Sequence, residues 1–239
     1  MRFFLLLLCL SIVAWAHETD SLFVPKKPAK PVRFCKAAKQ WLEYAKADSN
    51  LVEITYMKGL RMDLRYATFD NVTGHDLYCG IRRAFVHRDA LPKLKRALAL
   101  LKKELPGYRI VVFDAARPLY AQGALKRAVA GTPYSNYVSS GKTGGLHNYG
   151  LALDIGLADS TGAMVDMGAD FDSFERCAGE VGEADALKSG RLTQRQVDNR
   201  NLLRGIMKRA GWVSLSSEWW HFNAYTRTYT KDHYPLFPM

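Results

Sequence analysis

The sequence predicts an α+β fold: a mixed, largely antiparallel sheet flanked by helices, with a functional cleft on the sheet. Three observations point there. Short apolar runs of strand length occur at 51–54, 108–113, 151–157, 212–215 and 219–223. Longer stretches at 34–47, 88–105, 119–130 and 194–210 carry apolar residues at helical spacing. The two kinds follow one another without a regular βαβ rhythm, which argues against a doubly wound parallel sheet. The chain has 239 residues, 48% of them hydrophobic, enough for one domain with its own core.

Residues 1–16 read as a secretory signal peptide. Arg2 precedes an apolar run that ends at Ala14, Trp15 and Ala16, a small-x-small cleavage pattern. A permanent N-terminal anchor is the competing reading, but the run is short for a bilayer span. Cleavage there predicts an exported protein, periplasmic or secreted, with no stable membrane span afterwards. Residues 17–50 read as an N-terminal extension. Its tract of Pro25, Lys26, Lys27, Pro28, Lys30 and Pro31 is a tether or irregular arm. A short amphipathic helix follows, with Phe34, Ala37, Ala38, Trp41, Leu42 and Ala45 on its apolar face. Residues 51–239 form the main domain.

Within that domain, residues 51–54 alternate as a strand. The density of Asp, Asn, Thr and Gly at 62–74 marks a structured loop. The helix at 88–105 has Asp89 as a candidate cap, Pro92 in its first turn and a stripe of Leu91, Leu94, Leu98, Leu101 and Leu105. Pro106 and Gly107 stop it. The strand at 108–113 runs into Asp114, Ala115, Ala116, Arg117 and Pro118. The proline suits a helix start, which sets Arg117 at a strand-to-helix corner. Residues 131–145, rich in Gly, Ser, Thr and Tyr, read as a loop or lid, and 159–168 as a turn region. A tail of polar, aromatic and proline residues is expected to run over the surface.

The chain carries 34 Lys and Arg against 23 Asp and Glu, a net charge of +11. Removing residues 1–16 takes away Arg2 alone and leaves +10. The basic residues lie scattered along helices (Lys93, Lys95, Arg96, Lys102, Lys103, Arg204, Lys208, Arg209), and no nucleic-acid motif accompanies them. A solvated basic surface, suited to anionic envelope polymers, is the reading; nucleic acid is not an expected partner. Cys35, Cys79 and Cys177 remain after cleavage, so at most one internal disulfide forms. Cys35 with Cys79 is the favoured pair, although spacing alone does not settle it.

The chemistry concentrates in two stretches. One is Gly145, Leu146, His147, Asn148, Tyr149, Gly150, Leu151, Ala152, Leu153, Asp154. The other is Ser217, Glu218, Trp219, Trp220, His221, Phe222. Either alone is weak: a histidine near an aspartate is often a plain hydrogen-bonded pair. Together they hold the inventory of a catalytic zinc site, with His147, Asp154 and His221 as three ligands for one ion and Glu218 as general base. Glu218 as a residue that merely orients a ligand is the alternative. Arg117 suits stabilisation of an oxyanion, or a structural pair with Asp114.

Six ordered segments carry a resemblance. They are Asp63, Leu64, Arg65, Tyr66, Ala67, Thr68 with Asn71, Val72, Thr73, Gly74; residues 114–118; His147 through Asp154; Met167, Gly168 with Phe171, Asp172; Asn201, Leu202, Leu203, Arg204 with Ile206, Met207; and Glu218, Trp219, Trp220, His221. In order and spacing the chain resembles the zinc D-alanyl-D-alanine dipeptidases of the vancomycin-resistance type, from about residue 51 to 237. The resemblance implies His147, Asp154 and His221 as zinc ligands, Glu218 as catalytic base and Arg117 as stabiliser of the tetrahedral intermediate. It implies that Tyr66 and Asp172 hold the substrate's amino terminus. The implied substrate is D-Ala-D-Ala or a related short peptidoglycan dipeptide. The chain departs from the family just before the first histidine, where two serines near the substrate carboxylate are replaced by Gly145 and Leu146. That departure leaves a D,D- or L,D-carboxypeptidase or endopeptidase acting on longer stem peptides as a rival. A non-catalytic envelope-binding module is a second rival, against which the complete set of site residues argues.

Overall fold

The computed structural model describes residues 30–238. The signal-peptide reading of 1–16 and most of the Pro/Lys tract lie outside the described residues. Helix α1 (Cys35–Ala47) leads into strand β1 (Leu51–Glu53), followed by β2 (Leu60–Met62), β3 (Phe85–His87), α2 (Leu91–Glu104), β4 (Arg109–Asp114) and α3 (Leu119–Ala128). Then come β5 (Ala152–Ala158), α4 (Glu180–Lys188), α5 (Gln194–Arg209), β6 (Val213–Leu215), β7 (Glu218–Asn223) and α6 (Arg227–His233). The main sheet has five strands in the order β2-β4-β5-β7-β6. Only β2 and β4 run parallel; the other neighbours are antiparallel. A separate two-stranded ladder joins β1 to β3. This is the mixed, largely antiparallel α+β arrangement expected.

Strand β5 lies at the centre, and every one of its residues is buried. Alternation sends Leu153, Ile155 and Leu157 to one face and Asp154 to the other. Helices α2 and α5 contact each other and the sheet. They contribute Leu94, Ala97, Leu101, Leu203, Ile206 and Met207 to the main core. Helix α5 starts as its sequence dictates, with Thr193 and Gln196 forming a reciprocal capping box. Helix α2 does not use Asp89. Ala90 is its N-cap, and the Asp89 carboxylate instead accepts a hydrogen bond from Tyr234 at 2.9 Å. A tertiary partner has outcompeted the local cap.

Helix α1 packs through Trp41 and Ala45 on Leu51, Phe85, Ala116 and Phe237. A disulfide between Cys35 and Cys79 ties its first turn to the loop before β3. Phe237 also corrects the expectation of a surface tail. Residues 227–233 form α6, Thr230 is fully buried, and Phe237 inserts into the small core under α1. Its aromatic ring gains burial that no local pattern announced. Helix α4 and strands β2 and β3 were likewise not legible as elements. Each is short, and β2 and β3 are only three residues long.

Candidate active site

Three adjacent strands and one tight turn bring the polar residues together. On β5 and β7, Asp154 and His221 are direct register partners. Strand β4 carries a bulge between Val112 and Asp114, which brings Asp114 opposite Asp154. The bulge shifts the register by one residue and so turns Asp114 to the face of Asp154. A second irregularity, between Ser214 and Leu215, sits at the head of β7. Glu218 and His221 are three apart, a spacing that sends side chains to opposite faces of a regular strand. The irregular hairpin brings them into one cleft, with Glu218 Oε2 3.9 Å from His221 Nδ1.

His147 comes from a 3-10 helix, Leu146–Tyr149, that runs directly into β5. Gly150 closes it with φ +64, and a Cβ there would stand 2.8 Å from the backbone nitrogen of His87. Only glycine satisfies both the left-handed backbone and the close approach. His147 and Asp154 are therefore brought together by the turn between them.

His147 Nε2, Asp154 Oδ1 and His221 Nδ1 converge. Asp154 Oδ1 lies 3.2 Å from His147 Nε2 and 2.9 Å from His221 Nδ1, and the two imidazole nitrogens are 3.1 Å apart. Tetrahedral ligands with bonds of about 2.1 Å sit about 3.4 Å from one another, so the spacing fits one small divalent ion. The outer hydrogen bonds aim the lone pairs. His147 Nδ1 is 2.8 Å from the Ala115 carbonyl, which only accepts, so Nδ1 carries the hydrogen and Nε2 faces inward free. His221 Nε2 contacts Asn223 Oδ1 at 2.8 Å, which leaves Nδ1 facing inward. Burial raises the Asp154 carboxyl, but the two imidazoles overcome this and hold it well below the usual carboxylate range. Burial lowers His221, and Asp154 overrides it to lift the imidazole to about 9.

Of the two readings left open for Arg117, the structure shows the pair with Asp114. Its Nε donates to Asp114 Oδ2 at 2.7 Å, and its Nη2 reaches Asp154 Oδ2 at 3.3 Å. Nη1 donates to Gln122 Oε1 at 3.1 Å, and the guanidinium stacks 5.0 Å from the Tyr66 ring centroid. Asp114 is fully buried and also accepts from Tyr78 Oη at 2.7 Å.

Beside Arg117, Tyr66 donates from its buried hydroxyl to both oxygens of Asp172, each at 2.9 Å. Asp172 holds φ +63, an uncommon backbone for a residue other than glycine. Burial first, and the charge of Asp154 second, push its carboxyl up to about 7. Burial likewise raises Glu218. The cleft measures about 260 Å³ and is lined by Tyr66, Arg117, Gly145, Leu146, His147, Asp154, Asp172, Glu218 and His221 among others. The nine candidate catalytic, metal-ligating and substrate-binding residues named from the sequence therefore border one cavity. Asn223, Gln122 and Tyr78 were missed. Asn223 had a usable signal, since it lies two residues beyond His221 on the same strand face; Gln122 and Tyr78 reach the site only through the fold.

The family model described as D-ala-D-ala dipeptidase matches residues 48–238. A D-alanyl-D-alanine dipeptidase of Escherichia coli is 36% identical over 163 residues, covering 68% of this chain and 78% of that protein. Dipeptidases of the same name from Enterococcus faecium and Enterococcus faecalis are 28% and 27% identical, covering 69% and 74% of this chain and 85% and 92% of their own.

Proposed function

Because the chain belongs to the D-ala-D-ala dipeptidase family of metal-dependent peptidases, we propose that it hydrolyses the peptide bond of D-Ala-D-Ala with one zinc ion held by His147, Asp154 and His221. The observation that carries this reading is the convergence of three lone-pair atoms, each aimed by an outer hydrogen bond, at the spacing a tetrahedral ion needs. Two imidazoles and one carboxylate form a donor set that suits zinc, with a position left over for water or substrate. Bound there, zinc supplies Lewis acidity, polarising a carbonyl oxygen and acidifying water.

The chain's own residues divide the remaining work. Glu218, with its carboxyl raised by burial, takes a proton from the attacking water and passes it to the departing amine as the C–N bond breaks. Arg117, fixed by Asp114 and Gln122, presents a guanidinium to the negative charge that develops on the carbonyl oxygen. Asp172, oriented by Tyr66, offers a carboxylate to the ammonium group of the substrate. With an amine site and a metal site walling a cavity of about 260 Å³, the cleft is small by the standard of ligand pockets, which favours a dipeptide over a long stem peptide.

The N-terminal apolar run and its Ala14, Trp15, Ala16 pattern support export, so the substrate would be wall-derived dipeptide outside the cytoplasm. The test is zinc content and D-Ala-D-Ala hydrolysis of wild type beside Glu218→Ala and His221→Ala. One zinc per chain is expected in wild type and in Glu218→Ala, with hydrolysis lost in both variants and zinc lost in His221→Ala. Stoichiometric zinc without dipeptide cleavage would move the substrate to longer wall peptides.

A further inference from the structure

We propose that Ser139 and Arg227 form the subsite for the free C-terminal carboxylate of the dipeptide, an inference that rests on the dipeptidase reading above. Gly145 lines the cleft beside His147 and contributes no side chain. A Cβ built on Gly145 would point at Ser139, 3.4 Å from its Oγ and 3.6 Å from its Cβ. The Ser139 hydroxyl thus occupies the space that a side chain at 145 would address, and it enters from a different segment of chain. Its backbone is tied to the catalytic wall, since Gln122 donates from Nε2 to the Ser139 carbonyl at 2.9 Å while its Oε1 accepts from Arg117.

Charge selects Arg227. Three arginines line the cleft: Arg117, Arg176 and Arg227. Arg117 is neutralised by Asp114 and Asp154, and Arg176 pairs with Asp185 at 3.5 Å. The Arg227 guanidinium contacts the Ser139 hydroxyl at 3.4 Å and, among the described residues, no carboxylate. A hydroxyl donor beside an uncommitted guanidinium is a receptor for a carboxylate. It lies beside Gly145, two residues before His147, while Asp172 and Tyr66 would offer the site for the amine. The two ends of a zwitterionic dipeptide would then be read by opposite charges, and Leu146 would contribute an apolar wall for the terminal methyl group.

The test compares D-Ala-D-Ala with its C-terminal amide in zinc-loaded wild type, Arg227→Gln, Arg227→Lys and Ser139→Ala. Wild type should prefer the free acid. Arg227→Gln should lower that preference about tenfold, the low end for a charge-assisted hydrogen bond at an exposed position, with the loss in KM and not in kcat. Arg227→Lys should restore part of it, and Ser139→Ala should lower it several-fold. A wild type without preference for the acid, or an Arg227→Gln variant that keeps the full preference, would overturn the subsite and leave the dipeptidase reading standing. A wild type that cleaves neither compound would overturn both.

Discussion

Asp154 and His221 face each other as register partners across β5 and β7, and their Oδ1 and Nδ1 atoms meet at 2.9 Å. Two residues 67 apart in sequence are thereby fixed as two of the three converging donors by the hydrogen-bond ladder itself. Register in a buried sheet is strongly specified, because a one-residue slip would turn the Asp154 carboxylate into the apolar face.

Asn223 holds the His221 ring through Nε2 at 2.8 Å. Asn223→Ala should weaken metal affinity about 10–100-fold, the usual cost of losing the partner that orients a ligand histidine. Competition titration with a zinc chelator checks this; unchanged affinity would mean that the ladder alone orients the ring.

Asp172 has a folded-state pKa of about 7, above its ordinary value of 3.8. The unfolded chain therefore releases this proton first. The stability it contributes is fully present below about pH 4 and is lost as pH rises towards 7, each unit being worth about 1.4 kcal/mol at most. Asp172→Asn removes the titration and keeps a residue tolerant of positive φ. Its stability relative to wild type should rise between pH 4 and 7 and then level off, as measured by denaturant unfolding. The same variant should raise KM for the dipeptide. Tyr66→Phe removes a hydrogen bond that favours the ionised carboxylate, so the acidic limb of 1/KM should move to higher pH.

Arg117 and Asp114 form a buried pair at 2.7 Å. Arg117→Ala leaves the Asp114 charge in the core with Tyr78 as its hydrogen-bond donor and the His147 imidazole 3.6 Å away, and should cost about 3–5 kcal/mol of stability. It should also lower kcat about 10²–10³-fold through loss of oxyanion stabilisation. Arg117→Lys should recover more stability than rate, because an ammonium cannot reproduce the three-way contact to Asp114, Gln122 and Asp154. Thermal unfolding and steady-state kinetics on both variants separate the two effects.

Gly150→Ala places a Cβ against the His87 backbone nitrogen at a residue with φ +64. A destabilisation of at least about 1–3 kcal/mol is expected from the backbone alone, with zinc content falling because His147 sits on the same turn. Equal stability and zinc content in the variant would contradict the role of this turn.

The Cys35–Cys79 bridge closes a separation of 44 residues and anchors α1. Its reduction should lower stability by about 2–4 kcal/mol. Hydrolysis should survive at temperatures where the fold persists, since neither cysteine borders the cleft. Cys177 is buried and its thiol is raised by burial, so it should resist thiol reagents until the chain unfolds.

Taken alone, the sequence set the fold class, the long helices and the central strands, and it offered nine candidate site residues that border one cavity. The elements and the His147, Asp154, Glu218 and His221 candidates depend on local chemistry: the stripe of Leu94 and Leu101, the buried run of β5, the Gly150 turn after His147, and the donor types that a metal site needs; Tyr66, Asp172, Gly145 and Leu146 came from the family resemblance. The tertiary structure alone decided the rest. It placed the bulge that turns Asp114 toward Asp154, and the irregular hairpin that brings Glu218 to the side of His221. It drew the tail back so that Phe237 enters the core, and diverted Asp89 from its helix to Tyr234. It set Ser139 over Gly145 with Arg227 beside it. None of these relations has a sequence period, because each is a choice of partner across tens of residues. Such choices are settled by which buried surfaces and hydrogen bonds the folded chain can satisfy together.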